Sequence, residues 1–191
     1  MKKKIITFIA RKFAAFYWGF AKKEIDNFVI DHQRLKFKFC GENVVFKAGG
    51  TIYHPENISI GNHVRVGDNC FIMAIGGVEI GDGTIISRNV CIHSGNHSYK
   101  SDTIVPYDDS YDRRKTTIGK AVWIGQNVNI LPGVSIGDGA IIGMGTTVSK
   151  NVNIGEIVVG KGQRTLGERD IESLKKAISK DSFFAKKYPK L

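Results

Sequence analysis

Residues 118–148 read IGKAVWIGQNVNILPGVSIGDGAIIGMGTTV, and an aliphatic residue stands at every sixth position of this stretch. The same spacing occurs at residues 60–72 and 80–92, and a glycine follows more than half of the positions in the series. Internal repetition of so short a period is typical of a solenoid, in which successive coils stack on one another.

A six-residue unit suits a short extended segment followed by a turn. Three such units close a coil of about 18 residues, so that equivalent positions lie above one another in parallel strands. Each aligned Ile or Val, as far as Ile154, is expected to point inward. Weaker residues continue the spacing backwards at Phe39, Val45 and Thr51, which predicts a ragged first coil. Residues 39–160 are therefore predicted to form one prism-shaped domain.

The net charge of +10 is concentrated at the two ends of the chain. Residues 1–38 carry ten Lys and Arg against three Asp and Glu, residues 161–191 carry nine against four, and residues 39–160 carry nine against eleven. A nucleic-acid-binding domain would favour a continuous basic face, so this distribution argues against nucleic acid as a partner. It favours local attraction of anions by the N-terminal segment 1–38 and the C-terminal segment 161–191.

The cysteines and the N-terminal apolar run give indications of the cellular compartment. Cys40, Cys70 and Cys91 are odd in number and lack C-x-x-C spacing, which indicates small apolar residues in a reducing environment. The first apolar run is interrupted by Arg11 and Lys12, so neither a signal peptide nor a spanning helix is predicted. We expect a cytoplasmic protein.

Both terminal segments have apolar residues at helical spacing. The first is predicted to be an amphipathic helix. Residues 1–23 would then be either an interfacial membrane anchor or, as we favour, a cover for the open end of the prism or a contact with a neighbouring subunit. The second is predicted to be a helix over about residues 168–180 that caps the prism. The spaced residues are Ile5, Ile9, Phe13, Phe16 and Phe20, then Ile171, Leu174 and Ile178.

The repeat is interrupted by a polar excursion at residues 98–117, directly after Asn96 and His97. Long segments without periodicity inside a compact domain are usually functional or disordered. This one is consistent with a polar site and also with a solvated flap. Its polar and aromatic residues are Tyr99, Tyr107, Asp108, Asp109, Tyr111, Asp112, Arg113 and Arg114.

The N-H pair, the loop, and the runs VWIG, LPGVSIGDG and VSK together resemble the hexapeptide-repeat acyltransferases. The similarity is greatest to the branch of galactoside, maltose and streptogramin acetyltransferases and polysaccharide O-acetyltransferases, and it covers about residues 39–166. The resemblance implies an all-β left-handed parallel β-helix, a homotrimer with active sites at subunit interfaces, acetyl-coenzyme A as cosubstrate and no metal. The left hand comes from the family alone, because crossovers between parallel strands are normally right-handed.

The resemblance also implies roles for residues around the excursion. His97 corresponds to the family's general base, which takes the acceptor's proton in a direct transfer without a covalent intermediate. The competing His93 is then a structural histidine or a residue that contacts the site indirectly. The backbone N–H of Gln126 would stabilise the developing oxyanion. Trp123 would help to shape the cleft, although a packed corner residue is an equally good interpretation.

Further positions match the family's coenzyme A contacts. Gly143 and Met144 would lie along the pantetheine arm, and Ser149 and Lys150 near the adenosine and its 3′-phosphate. Arg164 matches the family's terminal arginine. The family's G-N-P-A is replaced by GKGQ at residues 160–163, where Lys161 is a candidate substitute contact for phosphate.

The acceptor site departs from the galactoside pattern. Met73 and Ile75 stand where galactoside enzymes have an Asn and an Asp, which argues against a galactoside bound in the same way. Asn96, Tyr99 and Asp108 are the candidate contacts for a sugar or polysaccharide-precursor hydroxyl, although the residues leave O- and N-acetylation both open.

The prediction is therefore an acetyl-coenzyme A-dependent O-acetyltransferase. Two alternatives remain. One is a γ-type carbonic anhydrase, in which His93 and His97 would supply two of three zinc ligands. The other is a non-catalytic solenoid subunit that only assembles with partners.

Overall fold

The computed structural model describes residues 2–22, 24–25, 28, 32, 34–98, 106–160 and 162–188. Short strands recur along the repeat and are separated by turns, as the spacing of six predicts. The strands are β1 (Phe39–Cys40), β2 (Val45–Phe46), β3 (Thr51–Tyr53), β4 (Ile58–Ile60), β5 (Arg65–Val66), β6 (Phe71–Met73), β7 (Val78–Ile80), β8 (Ile85–Ile86), β9 (Cys91–His93), β10 (Gly95–His97), β11 (Tyr111–Arg113), β12 (Thr116–Ile118), β13 (Trp123–Ile124), β14 (Asn129–Ile130), β15 (Ser135–Ile136), β16 (Ile141–Ile142), β17 (Thr147–Val148), β18 (Glu156–Val159) and β19 (Arg164–Glu168).

All of the strands except β10 and β11 form three faces of a parallel β-solenoid. Face A has the order β1-β4-β7-β12-β15, and face C has the order β17-β14-β9-β6-β3. Face B has the order β19-β18-β16-β13-β8-β5-β2, in which only the outer pair β18-β19 is antiparallel. The predicted solenoid is confirmed.

The core is built from columns of stacked aliphatic side chains. In face B, Ile124 lies in register between Ile86 and Ile142, and all three are almost fully buried. Parallel pairing in register places identical positions above one another, so each side chain rests on its equivalents in the neighbouring coils. The spacing of six therefore produces one continuous apolar interior.

In the first coil, the inward-facing residues lie one position later in the chain than the spacing predicts. Cys40 pairs with the buried Ile60, so Cys40 takes the inward position and Phe39, 56% exposed, faces outward. In the same way Phe46 and Ile52 point inward in place of Val45 and Thr51. Alternate residues of a strand point to opposite sides, so an error of one position reverses the face.

The last coil also departs from strict spacing. Ile154 was expected to point inward, but it is 52% exposed. Val152 forms a bridge with Ile136 and is buried, only four residues after Val148. A shorter turn thus brings Val152 into the column, and Ile154 lies in the turn that follows.

Two longer corners interrupt the early coils. Residues Pro55–Asn57 form a 3-10 turn. At the second corner a Cβ on Gly76 would lie 2.1 Å from the Ser94 carbonyl oxygen. The Gly76 N–H also donates to Ser94 Oγ at 2.9 Å. The close approach of the two backbones requires glycine at position 76. The hydrogen bond anchors Ser94, which lies shortly before His97 in the chain.

The predicted N-terminal helix is confirmed as α1 (Lys2–Phe16), followed by a π-helical turn at Tyr17–Ala21. Residues 5–20 are all exposed, so the helix does not cover its own chain's prism. Across the described ranges, no helix is long and apolar enough to cross a membrane.

The C-terminal helix is also confirmed, as α2 (Ile171–Ser179), with a short α3 (Phe184–Lys187) after it. Leu174 packs against Gly139, and Phe183 packs against Gly83 two coils earlier. The Tyr188 carbonyl accepts a hydrogen bond from the side chain of Arg65 in β5. The segment therefore lies along one corner of the prism, whereas the sequence predicted a cap on its end.

Candidate active site

A β-hairpin forms the two ends of the polar excursion. Strand β10 pairs antiparallel with β11, which places His97 opposite Tyr111. The hairpin is anchored to the prism where the Arg114 N–H donates to the Ser94 carbonyl at 2.8 Å. Ser94 is itself fully buried, and its hydroxyl donates to the Met73 carbonyl at 2.9 Å. The candidate base thus stands on a strand that is held by the prism.

The His97 imidazole lies against two tyrosine rings. The ring centroids of Tyr107 and Tyr111 are 4.1 Å and 4.3 Å from that of His97. The Tyr111 hydroxyl shares a hydrogen bond of 3.1 Å with Nε2, while Nδ1 is buried without a hydrogen-bond partner in the described part of the chain. The ring is therefore oriented by stacking and by a single hydrogen bond.

His93 occupies a different environment. It ends β9 on the outer side of face C, half-buried, with its ring centroid 5.4 Å from that of Phe71. Its backbone carbonyl accepts a hydrogen bond from Thr116 Oγ1 at 2.7 Å. These are the contacts of a packed strand residue.

A polar cleft of about 590 Å³ opens beside the hairpin. Two of the predicted site residues, Asn96 and His97, line it. The sequence had not singled out Ser98 or Ser110, which carry no motif signal. The lining residues are Asn96, His97, Ser98, Ser110, Tyr111, Asp112 and Arg114.

The two charged residues that line this cleft are paired with each other. Arg114 forms an ion pair of 2.7 Å with Asp112. Asp108 does not line the cleft: its Oδ1 accepts hydrogen bonds from the backbone N–H and the hydroxyl of Ser110. Asp108 therefore shapes the turn before β11. Tyr99, the third predicted acceptor contact, lies outside the described residues.

The predicted oxyanion donor lies on another face. Gln126 follows β13 in a turn of face B, where its carbonyl accepts from the Gly145 N–H at 2.8 Å. Its own backbone N–H donates to no partner among the described residues, and the same holds for Arg88 one coil earlier. The Gln126 N–H is therefore available to a ligand, although the equivalent turn of the preceding coil has the same geometry.

Trp123 projects from face B and is 55% exposed. It borders a second cleft of about 210 Å³, between the prism and the C-terminal helices, which Ile85 and Phe183 also line. The two clefts share no lining residue. A single chain therefore does not bring Trp123 and His97 together.

The candidate coenzyme A contacts lie in turns at one end of the prism. Gly143 and Met144 follow β16, and Ser149 and Lys150 follow β17, where both side chains are exposed. Arg164 opens β19 opposite Val159. Lys161 falls outside the described residues.

Gln163 is a residue that sequence reasoning missed. Its Oε1 accepts hydrogen bonds from the backbone N–H groups of Ser149 and Lys150 at 2.9 Å and 2.8 Å. Its Nε2 donates to the Lys150 carbonyl at 3.0 Å. The side chain thus clamps the turn that carries the candidate phosphate contact. The only signal in the sequence was the departure at GKGQ.

The carbonic anhydrase alternative requires a cluster of metal-binding side chains. Within the described ranges, no three His, Cys, Asp or Glu side chains lie together in an arrangement that could hold a metal ion. The histidine set that this alternative needs is therefore not assembled in the described part of one chain.

Comparisons with known proteins agree with the repeat. The family model "Bacterial transferase hexapeptide (six repeats)" matches residues 115–150, and "Hexapeptide repeat of succinyl-transferase" matches residues 57–94. The dTDP-4-amino-4,6-dideoxy-D-glucose acyltransferase of Escherichia coli is 32% identical over 181 residues, which cover 81% of this chain and 92% of that protein.

Solved structures show the same architecture. A galactoside acetyltransferase in complex with coenzyme A superposes with a TM-score of 0.67 at 30% identity, over 72% of this chain and 68% of that one. A maltose O-acetyltransferase from Clostridium difficile 630 superposes with a TM-score of 0.66 at 26% identity, over 73% and 74%. With its repeat, its parallel solenoid and a relative of this similarity over most of its length, the chain belongs to the hexapeptide-repeat acyltransferase family.

Proposed function

We propose that this protein transfers an acetyl group from acetyl-coenzyme A to a hydroxyl of a sugar or polysaccharide precursor, with His97 as the general base. The observation that carries the proposal is the His97 imidazole at the wall of a polar cleft of about 590 Å³, in a chain of this family. The coenzyme A in the related galactoside acetyltransferase supports the choice of donor.

The chemistry requires few side chains. The acceptor O–H gives its proton to the imidazole while the oxygen attacks the thioester carbonyl carbon. The resulting tetrahedral oxyanion collapses, the C–S bond breaks, and the imidazolium returns the proton to the leaving thiolate. Acetyl ester and free coenzyme A are the products. The backbone N–H of Gln126 is our candidate donor to the oxyanion.

The separation of the two clefts supports an assembly. His97 follows face C, whereas Gln126 and Trp123 belong to face B. A second copy that packs its face B beside the hairpin would bring the base and the oxyanion donor to one site. This is the arrangement of a homotrimer with active sites between subunits. Closed symmetric oligomers repeat one such contact at every interface.

The cosubstrate fits the charges of the C-terminal turns. Exposed Lys150 and Arg164 would contact its phosphate groups, since ammonium and guanidinium groups both bind phosphate. Gln163 would keep the Lys150 turn in place. Gly143 and Met144 lie in the neighbouring turn and would line the path of the pantetheine arm.

The test measures the release of free thiol when the purified full chain is incubated with acetyl-coenzyme A and a candidate acceptor. The acceptors are matched hydroxy- and amino-sugars, sugar nucleotides and oligosaccharides. We expect release that depends on a hydroxylated acceptor, together with coenzyme A binding in calorimetry. Transfer to amino-sugars alone would replace O-acetylation by N-acetylation. A protein that binds no coenzyme A would be the non-catalytic subunit instead.

We further propose that residues 1–23 hold the enzyme at the inner face of an anionic membrane. The apolar side of α1 and its π-helical turn is uncovered in its own chain, with side chains between 39% and 70% exposed. Basic residues such as Arg11 and Lys22 accompany it, and no acidic residue occurs before Glu24. An aromatic, basic amphipathic helix of this kind binds an anionic lipid interface.

Vesicle co-sedimentation tests the membrane contact. Phe13→Asp removes an exposed apolar side chain, and the neighbouring Ala14→Asp adds the same charge on the other side of the helix. We expect Phe13→Asp to weaken binding to phosphatidylglycerol vesicles by about tenfold, the value of one buried aromatic side chain. Ala14→Asp should weaken it less. If the full chain does not sediment and Phe13→Asp instead breaks an oligomer, the helix binds a second copy.

A further inference from the structure

The reactive nitrogen of the candidate base is already occupied by a side chain of the same protein. His97 Nε2 shares its hydrogen bond with the Tyr111 hydroxyl at 3.1 Å, and Nδ1 is buried without a partner in the described residues. A general base must lie within hydrogen-bond reach of the proton that it abstracts. An acceptor can therefore reach Nε2 only if the Tyr111 hydroxyl leaves it.

The occupying group has the chemistry of the acceptor. A phenol, like a sugar alcohol, presents one O–H that can donate to an imidazole nitrogen and an oxygen that can accept from it. We propose that the Tyr111 hydroxyl holds the place of the acceptor's nucleophilic hydroxyl at Nε2 of His97 and is displaced when the acceptor binds. The proposal rests on the proposed function and adds the residue that discriminates acceptor from water.

The surroundings of Tyr111 suit a side chain that moves. All three residues of β11 are exposed, and Tyr111 itself lines the open cleft. The Tyr111 ring is tilted by 36° from the imidazole plane, whereas the Tyr107 ring is tilted by only 20° and stacks on the imidazole independently of Tyr111. Displacement of Tyr111 therefore does not remove all support from His97. At the rim of the cleft the displaced ring can pack against the apolar face of a sugar.

As a consequence, Tyr111 limits the hydrolysis of acetyl-coenzyme A in the absence of an acceptor. Water at Nε2 could give its proton to the imidazole and attack the thioester carbon, which would release acetate and, after proton return, free coenzyme A. With Tyr111 in place, water must compete with a hydrogen bond that the protein already provides. The acceptor competes better, because it also contacts the cleft.

The experiment compares Tyr111→Phe with the wild-type full chain, through thiol release without acceptor and through the kinetics of transfer. We expect hydrolysis to rise by roughly three- to tenfold, the ratio that corresponds to one hydrogen bond. The acceptor KM should fall by a similar factor, because the acceptor no longer displaces a hydroxyl. The kcat at saturating acceptor should change by less than about twofold, since Tyr111 has then already left Nε2.

Tyr107→Phe is the matched control, because Tyr107 stacks on the same imidazole and its hydroxyl has no hydrogen bond to it in the described structure. Tyr107→Phe keeps the stacked ring and should reproduce neither the rise in hydrolysis nor the fall in acceptor KM. A fall in kcat without a rise in hydrolysis in Tyr111→Phe would mean that Tyr111 activates His97, and would overturn the proposal. If the wild type transfers acetyl groups but Tyr111→Phe changes neither hydrolysis nor acceptor KM, the displacement proposal alone fails. If the wild type releases no thiol with any acceptor, it is the proposed function that fails.

Discussion

His97→Ala is expected to lower kcat/KM for acetyl transfer by on the order of 100-fold or more, which is the usual contribution of a positioned general base. Without the imidazole, the acceptor must lose its proton to water as it attacks. The thioester remains activated, and the backbone donors remain in place, so a residual rate should persist. Initial rates of thiol release at saturating acetyl-coenzyme A measure the loss.

His93→Ala supplies the comparison, at the end of the preceding strand β9. His93 packs against Phe71 and does not line the polar cleft, so its replacement should cost far less activity. Coenzyme A affinity, measured by calorimetry, should be unchanged in His97→Ala, because the predicted cofactor contacts lie in other turns. Equal losses of activity in the two variants would reject His97 as the base.

Ile124→Ala is expected to lower the free energy of unfolding by about 2–5 kcal/mol, as large-to-small replacements in a core do. Ile124 has 0% exposure and lies between Ile86 and Ile142 in the column of face B. The cavity would interrupt that column, and neighbouring coils cannot close it without breaking their register. Chemical denaturation followed by circular dichroism measures the change.

Ile154→Ala is the matched control, since the sequence places it in the same series and the structure places it outside. An exposed substitution of this kind usually changes stability by no more than about 0.5 kcal/mol. Equally large losses in Ile154→Ala and Ile124→Ala would mean that the strict spacing of six, and not the observed register, describes the last coil.

The central coils were predictable because each residue there repeats the same local geometry. A spacing of six with glycine at many turns is compatible with few folds, and the inward columns through Ile86, Ile124 and Ile142 follow from it directly. The terminal coils were not predictable in this way, since a spacing of eight or four residues between inward positions breaks the regular spacing of six. Which neighbour then points inward is decided by hydrogen bonds to the adjacent coil, as for Cys40 and Val152.

The candidate site divides in the same way. The motif predicted Asn96 and His97, because a histidine before a polar excursion is a local signal. It did not predict that Tyr111 bonds to His97 or that Gln163 clamps the turn of Ser149 and Lys150. Each of these contacts joins residues more than ten positions apart, and no periodicity records it.

By itself, the sequence determined the solenoid and its family, because stacking energy depends on residue type at a fixed spacing, and it predicted His97 as the candidate base. Only the tertiary structure decided the phase of the end coils, the course of the C-terminal helix along a corner, and the exposure of the N-terminal apolar side. These depend on which surfaces meet after the chain has coiled. The same holds for the occupied imidazole, which exists only once a hairpin brings His97 opposite Tyr111.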